Sequence, residues 1–345
     1  MNAIGDNLKK VRLLKNISLR EAGKLLNMSA TAISKYEKGL IIPNSEKIIE
    51  FAKVYNVKTI DLLKIYDPPK MKFNSFRKKK RLTGQSLLLL ENLIQENVAK
   101  NLEVIEMNDI NLRIKLPKYS CQNIDDAEKA ANEFRNHIKI SNKQPLFEII
   151  NILENIGITI IQIKNNNNRF NDFDGLSEFV NNIPIIVLRD DIKDGARQRF
   201  TIAHELGHLI LDINKSLDEE KICNRFASAL LMPKEAIINE FGNIRKNINF
   251  YELIAFKNEF KVSYSAIIYR LKDLNIISDY LYKKYNIFLS QHIGKNDPNP
   301  IKPEISYQFK KSVYKLEAKE IISKTKACEL LGVTLDEYNK EVNYY

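Results

Sequence analysis

The chain has 345 residues, 44% of them apolar and 28% charged, a balance that excludes a wholly disordered protein and a length that implies two or three domains. No apolar run approaches the roughly 18 residues that span a bilayer, and the amino end has no hydrophobic signal segment, so a cytoplasmic protein without a membrane partner is expected. Cys121, Cys223 and Cys328 lie far apart without a CxxC, which excludes a disulfide framework and a thiolate zinc site. The net charge of +11 is unevenly placed: residues 1–67 hold 12 bases against 7 acids, residues 68–82 add 7 bases and no acid, and the rest holds 35 bases and 36 acids. Such asymmetry implies a nucleic-acid-facing amino-terminal module joined to a near-neutral body.

Residues 4–66 read as five short helices. Ile4, Leu8, Val11 and Leu14 share one face, Ser18 and Glu21 form a capping box before Leu25 and Leu26, and Asn27 suits a tight turn. A third helix runs from about Ser29 to Gly39, where glycine admits a left-handed stop. After a loop from Leu40 to Asn44, Ile48, Ile49, Phe51 and Ala52 mark a fourth helix and Thr59 to Ile65 a fifth. The second and third helices form a helix-turn-helix in which Gly23 allows close approach, Leu26 and Ile33 bury between the helices, and Tyr36 packs below. Ser29, Ala30, Thr31, Ser34 and Lys35 then face outward towards double-stranded DNA, with Lys35 and Lys38 suited to phosphates. Through these residues, with ISKYEKG and Pro43 its most specific part, the segment resembles the Cro and lambda-repressor-like (XRE) helix-turn-helix family. It departs from that family at Leu19, where glutamine is common, and at Gly23, where alanine is common; the glycine is expected to weaken the helix slightly without changing its packing.

Pro68 and Pro69 close this module. The run Arg77 to Arg81 is either a solvated linker or a source of added phosphate contacts. Leu87, Leu90, Ile94, Val98, Leu102 and Ile105 predict an amphipathic helix of about six turns, a strut on its own domain or a dimerisation helix that would make a homodimer. Residues 126–156 look helical. Ile158 to Ile163 is a strand, the asparagine tract Asn165 to Asn168 a surface loop, and Gly175 to Val180 with Ile183 to Arg189 a hairpin turning at Asn181 and Asn182, with Pro184 at the start of its strand. Beyond Arg197 the pattern is nearly all helical, interrupted at Pro233 and at 296–303.

The stretch FTIAHELGHLILD carries the chemistry. His204 and His208 are four apart and on a helix lie one turn above each other, able to share one metal ion, while Glu205 is rotated about 100° from His204 and suits a general base. Two of the chain's four histidines fall in this pattern. A hydrolytic zinc needs a third ligand. Glu220 on the next helix is preferred, because Asn224 one turn on can brace it or a histidine while Phe226, Leu230 and Leu231 bury the other face; Glu219 and Asp218 are alternatives. His292, Arg199 and Tyr264 are weak candidates for oxyanion stabilisation, each more readily structural, and His137 reads as a helix-end residue.

This part of the chain is similar to the ImmA/IrrE-type metallopeptidase family, in which HExxH precedes ExxANxFAxxLLMP; here that motif stands as Glu220, Cys223, Asn224, Phe226, Ala227, Leu230, Leu231, Met232 and Pro233. Cys223 replaces the usual alanine, which raises a cysteine ligand as an alternative. The resemblance runs from about Ala127 through 263–278 and more loosely to 324–338. It implies one Zn2+ per chain and a protein substrate, a helix-turn-helix repressor of a mobile element or stress response.

The expected fold is α+β and mostly helical: a five-helix helix-turn-helix domain at 1–67, a basic linker and amphipathic helix at 68–125, a zincin-like metallopeptidase domain with a small three-stranded sheet at 126–275, and a helical region at 276–345. The expected function is a zinc-dependent site-specific endopeptidase fused to a DNA-binding domain. The alternative is a DNA-binding regulator whose peptidase-like body is a sensor or a toxin-antitoxin component.

Overall fold

The computed structural model describes all residues except 1–2, 16, 64–68, 70, 72–83, 109–115, 166–169, 294–296, 298 and 343–345. The basic run Arg77 to Arg81 and most of the asparagine tract lie outside the described residues. The chain is α+β and mostly helical, in two compact units, residues 1–99 and 100–345.

In the first unit α1 (Ala3–Leu14), α2 (Leu19–Leu25), α3 (Ala30–Glu37), α4 (Ser45–Tyr55) and α5 (Thr59–Leu63) enclose Leu8, Val11, Ala22, Leu26, Ile33, Ile48, Phe51 and Tyr55. Polar side chains start the helices: the Ser18 hydroxyl accepts from the Glu21 amide at 3.1 Å while the Glu21 carboxylate accepts from the Ser18 amide at 2.7 Å, and Ser29 and Asn44 cap α3 and α4. Asn27 and Gly39 take the left-handed conformation at φ 47° and 68°. A Cβ on Gly23 would stand 2.5 Å from the carbonyl oxygen of Met28. The expectation that this glycine only weakens a helix is therefore corrected: the turn lies so close to α2 that a side chain would displace backbone.

One buried charge pair ties α1 to α3. The Arg12 guanidinium meets the Glu37 carboxylate through Nε and, at 2.9 Å, through Nη2, and donates from Nη1 to the carbonyl of Ile17 at 2.8 Å. Its side chains are only 5% and 6% exposed, so removing one partner strands the other charge in a dry site. Glu37→Ala is expected to lower the stability of this unit by about 3–5 kcal/mol in urea unfolding. A change below about 1 kcal/mol, the size of a surface pair, would contradict it.

The long helix α6 (Gly84–Met107) buries Leu90, Ile94 and Val98 completely within the single chain. Past Val98 the buried line passes to Asn101 and Val104 instead of the expected Leu102 and Ile105, which are partly exposed. The apolar stripe is thus taken up by the chain's own packing and gives no argument for a homodimer.

In the second unit β1 (Tyr119–Cys121), α7 (Ile124–His137), α8 (Ile149–Asn155), β2 (Thr159–Ile163), β3 (Gly175–Val180) and β4 (Ile183–Arg189) lead into α9 (Gly195–Ile210), β5 (Leu211–Ile213) and α10 (Glu219–Leu231). The expected three-stranded sheet has the order β2-β4-β3, with β2 parallel and β3 antiparallel to β4. Asn181 and Asn182, both at positive φ, make the hairpin turn. Pro184 is tolerated in the central strand because the β2 register begins only at Thr159 opposite Ile185.

Two expectations are corrected here. Leu211–Ile213, read as part of a helical stretch, is a strand paired in parallel with β1, and residues 126–156 are two helices separated by a loop. Behind this layer come α11 (Lys234–Phe241), α12 (Phe250–Phe260), α13 (Tyr264–Asp273) and α14 (Asp279–His292). Finally α15 (Gln308–Ala318), α16 (Lys324–Leu331) and α17 (Leu335–Val342) close on Val313, Leu316, Leu330 and Tyr338.

Buried arginines lock α10 in place. Arg135 of α7 donates to the carbonyl of Leu230 at 2.7 Å, its own pKa lowered to about 10 by burial, and Arg270 of α13 donates to the carbonyl of Met232 at 3.0 Å and to Glu128. No described helix is long and apolar enough to cross a membrane.

Candidate metal centre

The HELGH helix α9 is approached closely from two sides at glycines. A Cβ on Gly207 would touch Cys223 Sγ and Phe226 Cδ1 at 3.3 Å, so α10 lies close against it. On the other side, a Cβ on Gly175 would stand 2.9 Å from Thr201 Cγ2, which brings β3 equally near. Asp194 caps the helix, accepting from the Ala196 amide at 2.9 Å.

His204 and His208 face α10, and their Nε2 atoms stand 3.1 Å apart. Glu220 reaches both, Oε2 at 3.5 Å from His204 Nε2 and Oε1 at 3.3 Å from His208 Nε2. On the far side of each ring His204 Nδ1 meets Asn224 Oδ1 at 2.9 Å and His208 Nδ1 meets Glu219 Oε1 at 2.8 Å. A carbonyl oxygen and a carboxylate have no proton to give, so both Nδ1 atoms donate. Each neutral ring then turns an Nε2 lone pair towards the other and towards Glu220. Three acceptors converge without a donor, an arrangement that repels itself unless a proton or a cation sits among them.

Their spacing suits a cation. Tetrahedral coordination with bonds of about 2.0–2.2 Å puts neighbouring donor atoms roughly 3.3–3.6 Å apart, and the distances here are 3.1, 3.3 and 3.5 Å. Among the described residues His204, His208 and Glu220 form the one group of three or more such side chains that could hold a metal ion. Burial disfavours charge on His208, but hydrogen bonds to Cys223 and Glu220 and the charges of Cys223 and Glu205 outweigh it and raise the ring to about pKa 11. Proton and metal compete for the same nitrogen.

The neighbours of Glu220 take other places. Glu219 stands behind His208, and Asp218 is the N-cap of α10, accepting from the Lys221 amide at 3.3 Å. The Cys223 thiol, its pKa raised by burial, lies 3.5 Å from His208 Nδ1, on the side of the ring away from the cluster. Glu205 points to β3, where the Ser177 hydroxyl donates to its Oε2 at 2.8 Å. Sequence reasoning missed Ser177 and the bracing position of Glu219.

The three oxyanion candidates have partners outside the cluster. Arg199 is bound to Glu304 and the carbonyl of Leu146, Tyr264 stacks on Phe250 with ring centroids 5.3 Å apart, and His292 stacks on Phe288 at 4.4 Å. His137 is the last residue of α7.

In the amino-terminal unit Leu26 and Ile33 are buried and Tyr36 packs edge-on against Phe51. Thr31, Lys35 and Lys38 are exposed, and Ala30 and Ser34 half-buried. Ser29 is exposed too, but its oxygen is engaged as the cap of α3, accepting from Ala32 at 3.1 Å, so the hydroxyl has its proton to offer to DNA.

Comparison with known proteins finds two family models along the chain. Residues 8–62 match the family model described as helix-turn-helix, and residues 153–272 match the peptidase-family model described as the IrrE N-terminal-like domain. No curated protein matches the chain. Among solved structures, the SHP pheromone receptor Rgg2 of Streptococcus dysgalactiae is similar over 84% of this chain and 100% of its own, at 15% identity and a TM-score of 0.17, too low to support an argument. The peptidase family implies a metal cofactor, and the donors gathered on α9 and α10 fit one. The chain therefore joins a DNA-binding helix-turn-helix domain of XRE type to a metallopeptidase-type domain of the IrrE N-terminal-like family.

Proposed function

We propose that the protein is a zinc-dependent, site-specific endopeptidase that cuts a helix-turn-helix repressor controlling a mobile element or a stress response. The observation that carries this reading is the convergence of His204 Nε2, His208 Nε2 and Glu220 on one point with no donor among them, beside a carboxylate, Glu205, that is not one of the three and is held by Ser177. Two nitrogens and one oxygen at tetrahedral spacing favour zinc and leave a fourth position open. When bound, the ion supplies Lewis acidity, making a water acidic near neutral pH and polarising a peptide carbonyl.

The chain's own residues do the rest. His204, His208 and Glu220 hold the ion, with Asn224 and Glu219 fixing the two rings. Glu205 takes the proton from the attacking water and returns it to the leaving amine. A purely sensory metal site needs the ligands but has no use for a buried carboxylate beside them, so peptidase action is favoured over sensing. β3, an edge strand of the sheet, offers an extended substrate segment a backbone to pair with.

The amino-terminal domain reads an operator through Ser29, Ala30, Thr31 and Ser34 while Lys35 and Lys38 hold phosphates. Binding the operator that the repressor occupies raises the local concentration of enzyme near its target. The test mixes full-length protein, zinc and purified helix-turn-helix repressors from neighbouring genes. One discrete cut that a chelator prevents is expected; every repressor intact beside metal-loaded protein would contradict the proposal.

A further inference from the structure

Glu205 is only 9% exposed, and among the described residues its carboxylate has one hydrogen-bond partner, the Ser177 hydroxyl, 2.8 Å from Oε2. That meeting is built into the packing of strand on helix. Gly175 and Ser177 are two apart on β3 and project to one side of the sheet, a step of about 6.6 Å; Thr201 and Glu205 are four apart on α9 and share one face, a step of about 6 Å. Because the steps match, the close approach of Gly175 to Thr201 brings Ser177 to Glu205 one step further along. The hydroxyl donates a hydrogen bond to one carboxylate oxygen, Oε2, and leaves the other with its lone pairs.

We propose that Ser177 is a positioning residue for Glu205: it pins Oε2 to the edge strand so that Oε1 is the atom that takes and returns the proton. This rests on the peptidase reading above. A serine hydroxyl beside a half-buried strand edge could also merely satisfy a buried carboxylate, and the experiment separates the two roles. It uses the full-length, zinc-loaded chain and the repressor that the wild type cuts.

Ser177→Ala is expected to lower kcat about ten- to hundred-fold, the effect of losing a hydrogen bond to a charged group, with KM, zinc content and unfolding midpoint unchanged. Ser177→Thr, which keeps the hydroxyl on a strand that accepts β-branched residues, is expected to recover most of the rate. A readout independent of turnover is the carboxyl 13C resonance of Glu205, assigned by its disappearance in Glu205→Gln. It should move in Ser177→Ala and return in Ser177→Thr.

An unmoved resonance, an undiminished kcat in Ser177→Ala, or a loss of folding or zinc that Ser177→Thr does not repair would each overturn the inference. Zinc-loaded wild type that cuts nothing would sink the peptidase reading and this inference with it. Wild type that cuts while Ser177→Ala cuts equally fast would sink the inference alone.

Discussion

Glu205→Gln is expected to keep its zinc and lose repressor cleavage by about 10²–10⁴-fold. Glutamine is nearly isosteric and its amide oxygen can still accept from Ser177, so the packing between β3 and α9 survives. The lost property is the ability to hold a proton. His204, His208 and Glu220 are untouched by the change, because Glu205 is not one of the three donors and its carboxylate is held by Ser177, so metal content should match the wild type. The same variant separates cleavage from sensing in the cell: output of the controlled genes should disappear if cutting is the signal. Unchanged output, with zinc retained, would favour the sensor.

Much of the site is legible in the chain because its geometry is local. Two histidines four apart must share a helix face, and a glutamate between them must face elsewhere. What the chain does not reveal is set by distances between elements. Glu219 and Glu220 differ by about 100° of rotation on α10, and which of them meets an Nε2 rather than an Nδ1 depends on how near α10 comes, which Gly207 and Cys223 decide. Ser177 is invisible for the same reason: nothing in its own stretch points to Glu205, 28 residues away.

The strands β1 and β5 escape because three residues are too few for an alternating pattern, and Leu211–Ile213 follows a helix without a break. In the amino-terminal unit the caps at Ser18, Ser29 and Asn44 follow from local rules. The contact of Gly23 with the Met28 carbonyl needs the folded turn.

The account stands on a metal ion shared by α9 and α10. The direct measurement is the metal content, after extensive dialysis, of wild-type protein beside His204→Ala, Glu220→Ala and Glu219→Ala. The wild type should hold close to one zinc per chain. His204→Ala and Glu220→Ala each remove a donor atom and should hold essentially none, with circular dichroism unchanged because Glu220 is nearly half exposed. Glu219→Ala removes only the brace behind His208 and should keep the ion with affinity lowered about 10–100-fold. Wild-type protein without bound metal, or a Glu220→Ala variant that holds zinc as tightly as the wild type, would contradict the shared centre.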